Sequence, residues 1–222
     1  MIDRLLGFIA PHRCYGCGES TSILCDSCCN DISETDYGRC LWCLGPSGSS
    51  DQCRACTKRL GVTGAWVVGE RTGILKLLVG DYKYESIRES AKVMVKLLDH
   101  RVALLPEGTI VTTVPTIARH IRRRGFDHAA VLARTFARQR NLKYASLLRR
   151  TSQLSQHELK RTARLKAVKA AFQPKNIPPD GSILLIDDII TTGATLEACI
   201  RLLQERGVRE VYVAVVARQM PK

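Results

Sequence analysis

Residues 183–195 have the sequence Ile-Leu-Leu-Ile-Asp-Asp-Ile-Ile-Thr-Thr-Gly-Ala-Thr, and this stretch decides the fold of the chain. The four apolar residues 183–186 predict a strand that is buried on both faces, as in a parallel sheet. Two carboxylates, Asp187 and Asp188, mark the end of that strand. The residues after Gly193 predict an amphipathic helix, because apolar residues recur on one side. They are Leu196, Cys199, Ile200 and Leu203.

The turn between this strand and this helix carries the residue types that bind a phosphorylated sugar. In open α/β sheets, ligands bind beyond the carboxyl ends of the strands. The free N–H groups at the start of a helix hold phosphate, and the helix dipole favours the negative charge. Gly193 lets the backbone approach closely, and the acidic pair can accept bonds from ribose hydroxyls or face hydrated Mg²⁺. The hydroxyl donors of the turn are Thr191, Thr192 and Thr195.

Residues 183–195 resemble the phosphoribosyl pyrophosphate (PRPP) motif of type I phosphoribosyltransferases at essentially every position. A buried strand that merely ends in acidic residues would account for the apolar run, but not for the ordered hydroxyl and glycine residues after it. The resemblance implies PRPP binding with Mg²⁺. The motif residues expected to contact PRPP are Asp187, Asp188, Thr191, Thr192, Gly193, Ala194 and Thr195.

The cysteines are concentrated at the amino-terminal end, where nine of the ten lie before residue 57. Eight of them form four Cys-x-x-Cys pairs. Two such pairs complete one tetrahedral zinc site, so the array predicts a double zinc ribbon with one or two structural Zn²⁺ ions. We favour pairing in sequence order, although a cross-braced arrangement uses the same ligands. The predicted ligands are Cys14, Cys17, Cys25, Cys28, Cys40, Cys43, Cys53 and Cys56.

Composition limits the partners and the location of the protein. The net charge of +13 favours a polyanionic partner such as nucleic acid or an acidic lipid surface. No apolar run approaches the length needed to span a membrane, and residues 1–9 are too short and too charged for a signal peptide. We therefore expect a cytoplasmic protein without a transmembrane segment.

The order of predicted elements indicates an α/β fold with a doubly wound, mostly parallel sheet and a small amino-terminal zinc-ribbon module. We place the zinc module at residues 1–61 and the phosphoribosyltransferase-like domain at 62–222. The predicted strands are 65–68, 110–114, 144–148, 183–186 and 211–216. The predicted helices begin near residue 74, cover 87–98 and 127–140, and follow the PRPP motif as far as Gly207.

A dense group of cations follows the strand at 110–114, where the second phosphate group of PRPP should lie. Residues 114–128 resemble the Val-Pro and Arg-Gly-Phe-Asn-Gln stretch of the ComF family, a phosphoribosyltransferase-like group linked to DNA uptake in natural competence. This sequence has Asp127 and His128 where Asn and Gln are usual. Tyr82-Lys83-Tyr84 resembles the family's Lys-Tyr element, in which Lys83 would reach a phosphate; a surface lysine is the alternative.

Residues 150–172 resemble the mobile loop of the same family, which in transferases closes over PRPP and excludes water. Ala167 replaces the usual asparagine. An exposed basic helix is the alternative, since Lys160, Arg161, Lys166 and Lys169 continue the charge run. The positions that agree with the family are Arg150, Gln156, Leu159, Arg164, Val168, Ala171 and Phe172.

The ComF resemblance covers the whole chain and implies a protein that assists the import of single-stranded DNA in natural transformation. It would bind DNA and PRPP and meet the membrane DNA-uptake machinery and other competence proteins, in the cytoplasm or at the inner face of the membrane. On the pyrophosphate side, PRPP would also contact Lys83 and Arg124. The DNA-binding candidates are Arg119, Arg122, Arg123, Arg124, Lys160 and Arg161.

The alternative is an active, magnesium-dependent phosphoribosyltransferase that transfers phosphoribose from PRPP to a base or an amine. In that case Asp187, Asp188, Arg150 and Arg164 would be the catalytic candidates. The sequence has every element expected for the donor, but no identifiable site for the acceptor. A third alternative is a zinc-bearing scaffold with a vestigial sugar-phosphate pocket.

Overall fold

The computed structural model describes residues 13–20, 22–48, 50–84, 88–151, 171–178 and 180–221. The helices in this part of the chain are α1 (Asp26–Glu34), α2 (Arg54–Leu60), α3 (Gly73–Tyr84), α4 (Arg88–Arg101), α5 (Ala118–Arg124), α6 (His128–Gln139) and α7 (Ala194–Gln204). The strands are β1 (Gly64–Glu70), β2 (Ile110–Thr113), β3 (Lys143–Tyr144), β4 (Leu148–Arg150), β5 (Phe172–Pro174), β6 (Ser182–Ile190) and β7 (Glu210–Arg218).

The centre of the molecule is a parallel sheet with the strand order β1-β7-β6-β2-β3. The apolar run predicted as a buried strand forms β6, which lies between β7 and β2. Helices cover both faces of the sheet, as the prediction of a doubly wound fold requires. The remaining strands, β4 and β5, form an antiparallel pair outside this sheet.

Alternation along β6 separates the hydrophobic core into two clusters, one on each face of the sheet. Leu184 and Ile186 lie in the cluster that contains the buried faces of α3, α4 and α6. Ile183 and Leu185 lie in the opposite cluster, with the buried faces of α2 and α7. Both clusters are continuous with the cysteine-rich segments, so those segments pack directly on the sheet.

The two halves of the cysteine-rich region lie on opposite faces of the sheet. Cys14 and Cys29 belong to the core cluster of α3 and α4, whereas Cys40 and Cys56 belong to the cluster of α7. Between them, Asp51 lies along the edge strand β1, where its carboxylate accepts the N–H of Val67 at 2.8 Å. This segment therefore covers an edge that would otherwise expose unpaired backbone groups.

The structure corrects two of the predicted strand positions. The acidic pair does not end its strand, because β6 continues to Ile190 and pairs with β7 up to Arg218. Its pairing with β2 stops earlier, at Ile186. The two carboxylates therefore lie in the part of β6 that still pairs with β7 but no longer pairs with β2.

The predicted strand at residues 144–148 was also wrong. Only Lys143 and Tyr144 pair with β2, because the chain then turns away from the sheet. The N–H of Ala145 still donates to the carbonyl of Val111, but the N–H of Leu147 donates to the Thr112 side chain. Leu148 then begins the separate strand β4. Within the described residues, no helix has the length and apolar character needed to cross a bilayer.

Candidate functional site at the carboxyl edge of the sheet

Asp187 and Asp188 follow the last residues of β6 that pair with β2, and strand alternation directs them to opposite faces of the sheet. Asp188 lies on the side of α3 and α6, where Lys83 and His128 contact its carboxylate. Asp187 lies on the side of α7, where its charge acts on the buried thiol of Cys199. The predicted acidic pair thus combines two carboxyl groups in different surroundings.

Asp188 is almost completely buried and is held by a line of basic side chains. Its Oδ2 lies 2.5 Å from Lys83 Nζ and 3.5 Å from His128 Nε2. Burial alone would raise the pKa of Asp188, but Lys83 and then His128 lower it below the ordinary value. Asp188 is therefore ionised in the folded protein, and Lys83 is its main counter-ion.

His128 connects Asp188 to Arg124. The Arg124 Nη1 atom lies 2.9 Å from His128 Nδ1, and the pKa of His128 is lowered, chiefly by burial. Because arginine can only donate, Nδ1 is the acceptor and the proton of the neutral ring is on Nε2. Nε2 in turn lies 3.5 Å from Oδ2 of Asp188. The histidine that departs from the usual family residue therefore extends the polar network to Arg124.

Asp127, the other departure from the family pattern, begins α6. Its side chain accepts the N–H of Ala130 at 3.3 Å and the hydroxyl of Thr116 at 2.9 Å. A carboxylate at this position satisfies a free N–H of the helix and interacts favourably with its dipole. The substitution thus preserves the capping hydrogen bonds, and it fixes the turn that carries Arg124 and His128.

Asp187 has the opposite electrostatic character. Burial, and then the nearby charge of Asp188, raise the pKa of Asp187 well above its ordinary value. Its Oδ1 accepts the N–H of Asp188 at 2.9 Å. Asp188 is therefore anionic, whereas Asp187 is easily protonated. A divalent cation or a hydrogen-bonding sugar would change this balance, because both stabilise the charged form.

The turn after β6 presents the backbone and hydroxyl groups that a phosphate would need. Thr191 and Thr192 are exposed, and Gly193 adopts a left-handed conformation with φ of 79° before α7 begins. The Thr192 hydroxyl accepts the N–H of Ala194 at 3.4 Å. Among the described residues, the amino end of α7 has no other side-chain cap, so its remaining N–H groups can donate to an anion. Residues 191–195 are called the phosphate loop below.

A basic cluster borders this edge of the sheet on the side of β2. Helix α5 contains no buried residue, and it exposes Arg119, Arg122 and Arg123. His120 lies among them, and burial, then the charges of Arg124, Arg119, Arg123 and Lys83, lower its pKa. The influence of Lys83 on this histidine indicates that the exposed arginines and the Asp188 network share one electrostatic environment.

The predicted mobile loop lies mostly outside the described residues, and so do Arg164, Lys160 and Arg161. Its two ends form the antiparallel pair β4–β5. Arg150, at the end of β4, lies over the ring of Phe172 at 5.2 Å, and burial lowers the pKa of its guanidinium. Its charge also acts on Cys199. Arg150 is therefore on the same face of the sheet as Asp187, whereas Lys83 is on the face of Asp188.

The eight predicted zinc ligands form two groups in sequence order, Cys14–Cys28 and Cys40–Cys56. In each group the four sulfur atoms lie within 4.8 Å of one another. The Sγ atoms of Cys17 and Cys25 are 3.8 Å apart, and those of Cys43 and Cys53 are 3.7 Å apart. A tetrahedral site with Zn–S bonds of about 2.3 Å separates its sulfur atoms by about 3.8 Å. Both groups fit Zn²⁺.

The first cysteine group also has the backbone donors that stabilise thiolates. The N–H groups of Gly16 and Cys25 donate to the Cys14 sulfur at 3.4 and 3.3 Å. Burial alone would raise the pKa of Cys14, but these and other N–H groups lower it to about 6. The surplus residue Cys29 is buried in the core cluster, where burial raises its pKa. It is a packing residue and not a member of the group.

Comparison with known proteins defines the class of the carboxyl-terminal part. Residues 120–222 match the family described as the phosphoribosyl transferase domain. This match covers most of α5, both ends of the predicted mobile loop, and the phosphate loop. Together with the parallel sheet, it confirms a type I phosphoribosyltransferase-like fold, to which the cysteine groups add a small amino-terminal zinc-ribbon module.

Relatives that span nearly the whole chain confirm the predicted resemblance to the ComF family. Competence protein F of Haemophilus influenzae is 28% identical over 93% of this chain and 96% of its own length. Competence protein ComFC of Streptococcus pneumoniae is 25% identical over 89% of this chain and 88% of its own. DNA utilization protein YhgH of Salmonella typhi is 26% identical over 95% and 98%.

No role was predicted for three side chains that the structure brings to this edge. Tyr82 donates to the carbonyl of His128 at 2.5 Å and so joins α3 to α6. Trp42, from the second cysteine group, packs on Gly193. Arg218 ends β7 with its side chain buried beside Ile190. Two features of the sequence could have pointed to them. Arg218 is a charged residue at the end of an apolar strand, and Trp42 is an aromatic residue inside a Cys-x-x-Cys pair.

Proposed function

We propose that this protein assists the import of single-stranded DNA in natural transformation, and that it binds both DNA and PRPP. The names of the relatives, two of them competence proteins and one a DNA utilization protein, support a role in DNA uptake or use. In this proposal the protein works in the cytoplasm, or at the inner face of the membrane, beside the DNA-uptake machinery and other competence proteins.

One observation carries the proposal: cations and carboxylates meet at the carboxyl ends of β2 and β6. PRPP has a ribose with vicinal hydroxyls, a 5′-phosphate and a pyrophosphate. Asp187 and Asp188 would accept bonds from the ribose hydroxyls or hold hydrated Mg²⁺. The phosphate loop would bind the 5′-phosphate, and Lys83 and Arg124 would face the pyrophosphate. Magnesium, when bound, would neutralise part of the pyrophosphate charge.

The ion pair between Lys83 and Asp188 gives this binding a specific consequence. Lys83 Nζ lies 2.5 Å from the Asp188 carboxylate, so each charge satisfies the other. A bound Mg²⁺–PRPP complex offers Asp188 a cation or sugar hydroxyls and offers Lys83 a phosphate. Binding would therefore exchange one buried pair for two new contacts rather than create new charges.

The exposed arginines of α5 are the proposed contacts to DNA phosphates. Lysine and arginine contacts to phosphates release counterions, so the affinity for DNA should fall steeply as salt rises. The four phenylalanines, two tryptophans and six tyrosines of the chain are few, so base stacking should contribute little and sequence preference should be weak.

A competition experiment tests both ligands on one sample. Fluorescence anisotropy of a labelled oligonucleotide is followed on the zinc-loaded protein, first alone and then with increasing PRPP and Mg²⁺. Because Lys83 and the α5 arginines act on the same histidine, we expect PRPP to release DNA. Independent saturation would contradict shared charges, and absence of any salt-sensitive binding to single-stranded DNA would contradict the DNA role.

An active phosphoribosyltransferase is the second candidate, favoured by Arg150 and Asp187 lying on one face of the sheet. Pyrophosphate would leave C1 of PRPP through an oxocarbenium-like state as the acceptor attacks. Arg150 and Arg164 would stabilise the departing charge, while Asp187 and Asp188 hold the ribose. Pyrophosphate release in the presence of a panel of bases and amines would establish it. A rate equal to that without protein would contradict it.

A further inference from the structure

The second cysteine group lies directly behind the phosphate loop. Trp42 stands between the ligands Cys40 and Cys43, and its indole packs against Gly193. A Cβ atom at Gly193 would lie 3.1 Å from Cε3 of Trp42 and 3.4 Å from Cδ1 of Ile190. A non-glycine side chain would press on the indole, and the φ of 79° independently favours glycine. The conformation of the loop therefore depends on where the cysteine group places Trp42.

The residues at the end of β7 hold the end of β6, where the loop begins. The carbonyl of Ile190 accepts the backbone N–H of Gln219 at 2.8 Å and the Arg218 guanidinium at 3.4 Å. Arg218 is only 4% exposed. Among the described residues, no carboxylate lies within ion-pair distance of Arg218, and its Nε has no hydrogen-bond partner. A buried cation without an ion-pair partner destabilises the folded state unless a negative charge lies near it.

The cysteine group is one source of such charge. Burial lowers the pKa of Arg218, while Tyr37 and then Cys40 act in the opposite direction. Four thiolates outnumber the charges of one Zn²⁺, so a loaded group is anionic as a whole. Outer-shell partners of this kind orient metal ligands and are oriented by them in return. Arg218 thus lies within the electrostatic influence of the cysteine group and contacts the carbonyl from which the phosphate loop starts.

We propose that the second cysteine group, when loaded with zinc, positions the phosphate loop through Trp42 and Arg218. The inference rests on the proposed PRPP site for its functional meaning, but not for its test. The first cysteine group has no such role, because it packs on the opposite face of the sheet with α3 and α4. Zinc at one end of the chain would therefore control phosphate binding at the other.

Hydrogen exchange measured without PRPP tests the coupling. The matched variants are Cys43→Ser and Cys17→Ser, since each replaces an exposed cysteine at the same place in its group. Zinc content confirms the loss of one ion in each. In Cys43→Ser we expect exchange of residues 190–196 to rise by about tenfold or more. In Cys17→Ser it should stay within about twofold of the parent. Equal effects of the two variants, or none, would overturn the proposal.

Two variants that keep every cysteine decide the matter if Cys43→Ser does not fold. Trp42→Leu should retain the parent zinc content but raise exchange of the same residues, whereas Trp42→Phe should restore most of the protection. Exchange in the central part of β7, residues 211–216, serves as the measure of global stability and should not change. Unaltered protection in Trp42→Leu would contradict the positioning role. If the parent protein does not bind PRPP, the proposed function is rejected. The coupling between the cysteine group and the loop would still stand, because exchange is measured without PRPP.

Discussion

Two adjacent aspartates with opposite electrostatic surroundings are the most informative residues of the site. The sequence predicted the pair, but it placed the pair at the end of the buried strand, whereas β6 continues to Ile190. Alternation along β6 further implies that the two side chains face different cores, but their partners could not be predicted. Lys83 and His128 come from helices more than fifty residues away along the chain, and only the packing of α3 and α6 on the sheet brings them to Asp188.

Neutralising the two aspartates should change stability in opposite directions. Asp188→Asn leaves Lys83 without its counter-ion in a nearly buried site, and should lower the free energy of unfolding at pH 7 by about 3 kcal/mol. Asp187→Asn removes a carboxylate that its surroundings disfavour, and should raise stability by about 1 kcal/mol, as substitutions in strained sites often do. Urea unfolding of both variants measures this. Effects of the same sign would contradict the assigned environments.

The pH dependence of these differences follows from the direction of each pKa shift. The pKa of Asp188 is below its ordinary value of 3.8 in the folded protein, so its stabilisation is complete above that value. It is lost as the pH falls through the folded pKa. The pKa of Asp187 is raised, so its destabilising effect is absent below 3.8 and grows as the pH rises toward the folded pKa.

Unfolding at a series of pH values therefore distinguishes the two variants. The deficit of Asp188→Asn relative to the parent should be constant from neutral pH to about pH 5 and should shrink below pH 4. The advantage of Asp187→Asn should already decrease between neutral pH and pH 4. A deficit of Asp188→Asn that grows on acidification would contradict the ion pair with Lys83.

Among the elements, the α/β pattern was predictable because hydrophobic periodicity is a local property of the sequence. The helices α3, α4, α6 and α7 were expected within a few residues of their observed bounds. Strand ends were less predictable, since they depend on the length of the neighbouring strands. Thus β6 continues to Ile190 because β7 pairs with it as far as that residue. Residues 145–148 leave the central sheet, although the sequence there favours a strand.

The short helix α1 provides a test of the zinc assignment through two adjacent cysteines. Cys28 contributes to the first metal group, whereas Cys29 is turned into the core. Cys28→Ser should therefore reduce zinc from two ions per chain to one, and Cys29→Ala should keep both while costing about 1 kcal/mol of stability. Metal analysis of the purified variants measures this. Loss of zinc in Cys29→Ala would contradict the grouping.

At the scale of the whole molecule, the cysteine-rich segment packs against the central sheet and is part of the same folded structure. Its two groups pack on opposite faces, and both contribute to the hydrophobic core. The cysteine spacing predicted the ligands, but it carries no information on where the groups lie relative to the sheet. For the same reason the contact between Trp42 and Gly193 was not predictable, because about 150 residues separate the two positions.

The net charge of +13 should act on DNA through the particular surface that contains α5. Replacing Arg119, Arg122 and Arg123 by glutamine should reduce the slope of log affinity against log salt for single-stranded DNA by about 2, since each phosphate contact contributes about 0.7. The matched control replaces Arg138, Arg206 and Arg209, which are exposed and lie in the last turn of α6 or just after α7. Equal changes in slope for the two triple variants would contradict a specific role of α5, because the net charge alone would then account for DNA binding.

The central claim is that the carboxyl edge around β6 binds PRPP, and calorimetry tests it most directly. PRPP is titrated with Mg²⁺ into the zinc-loaded protein and into Asp188→Asn, with circular dichroism to confirm that the variant is folded. We predict one saturable site per chain in the parent and an affinity at least about tenfold lower in the variant, as loss of a charged contact implies. Absence of binding to the parent, or equal affinity in the two proteins, would contradict the account.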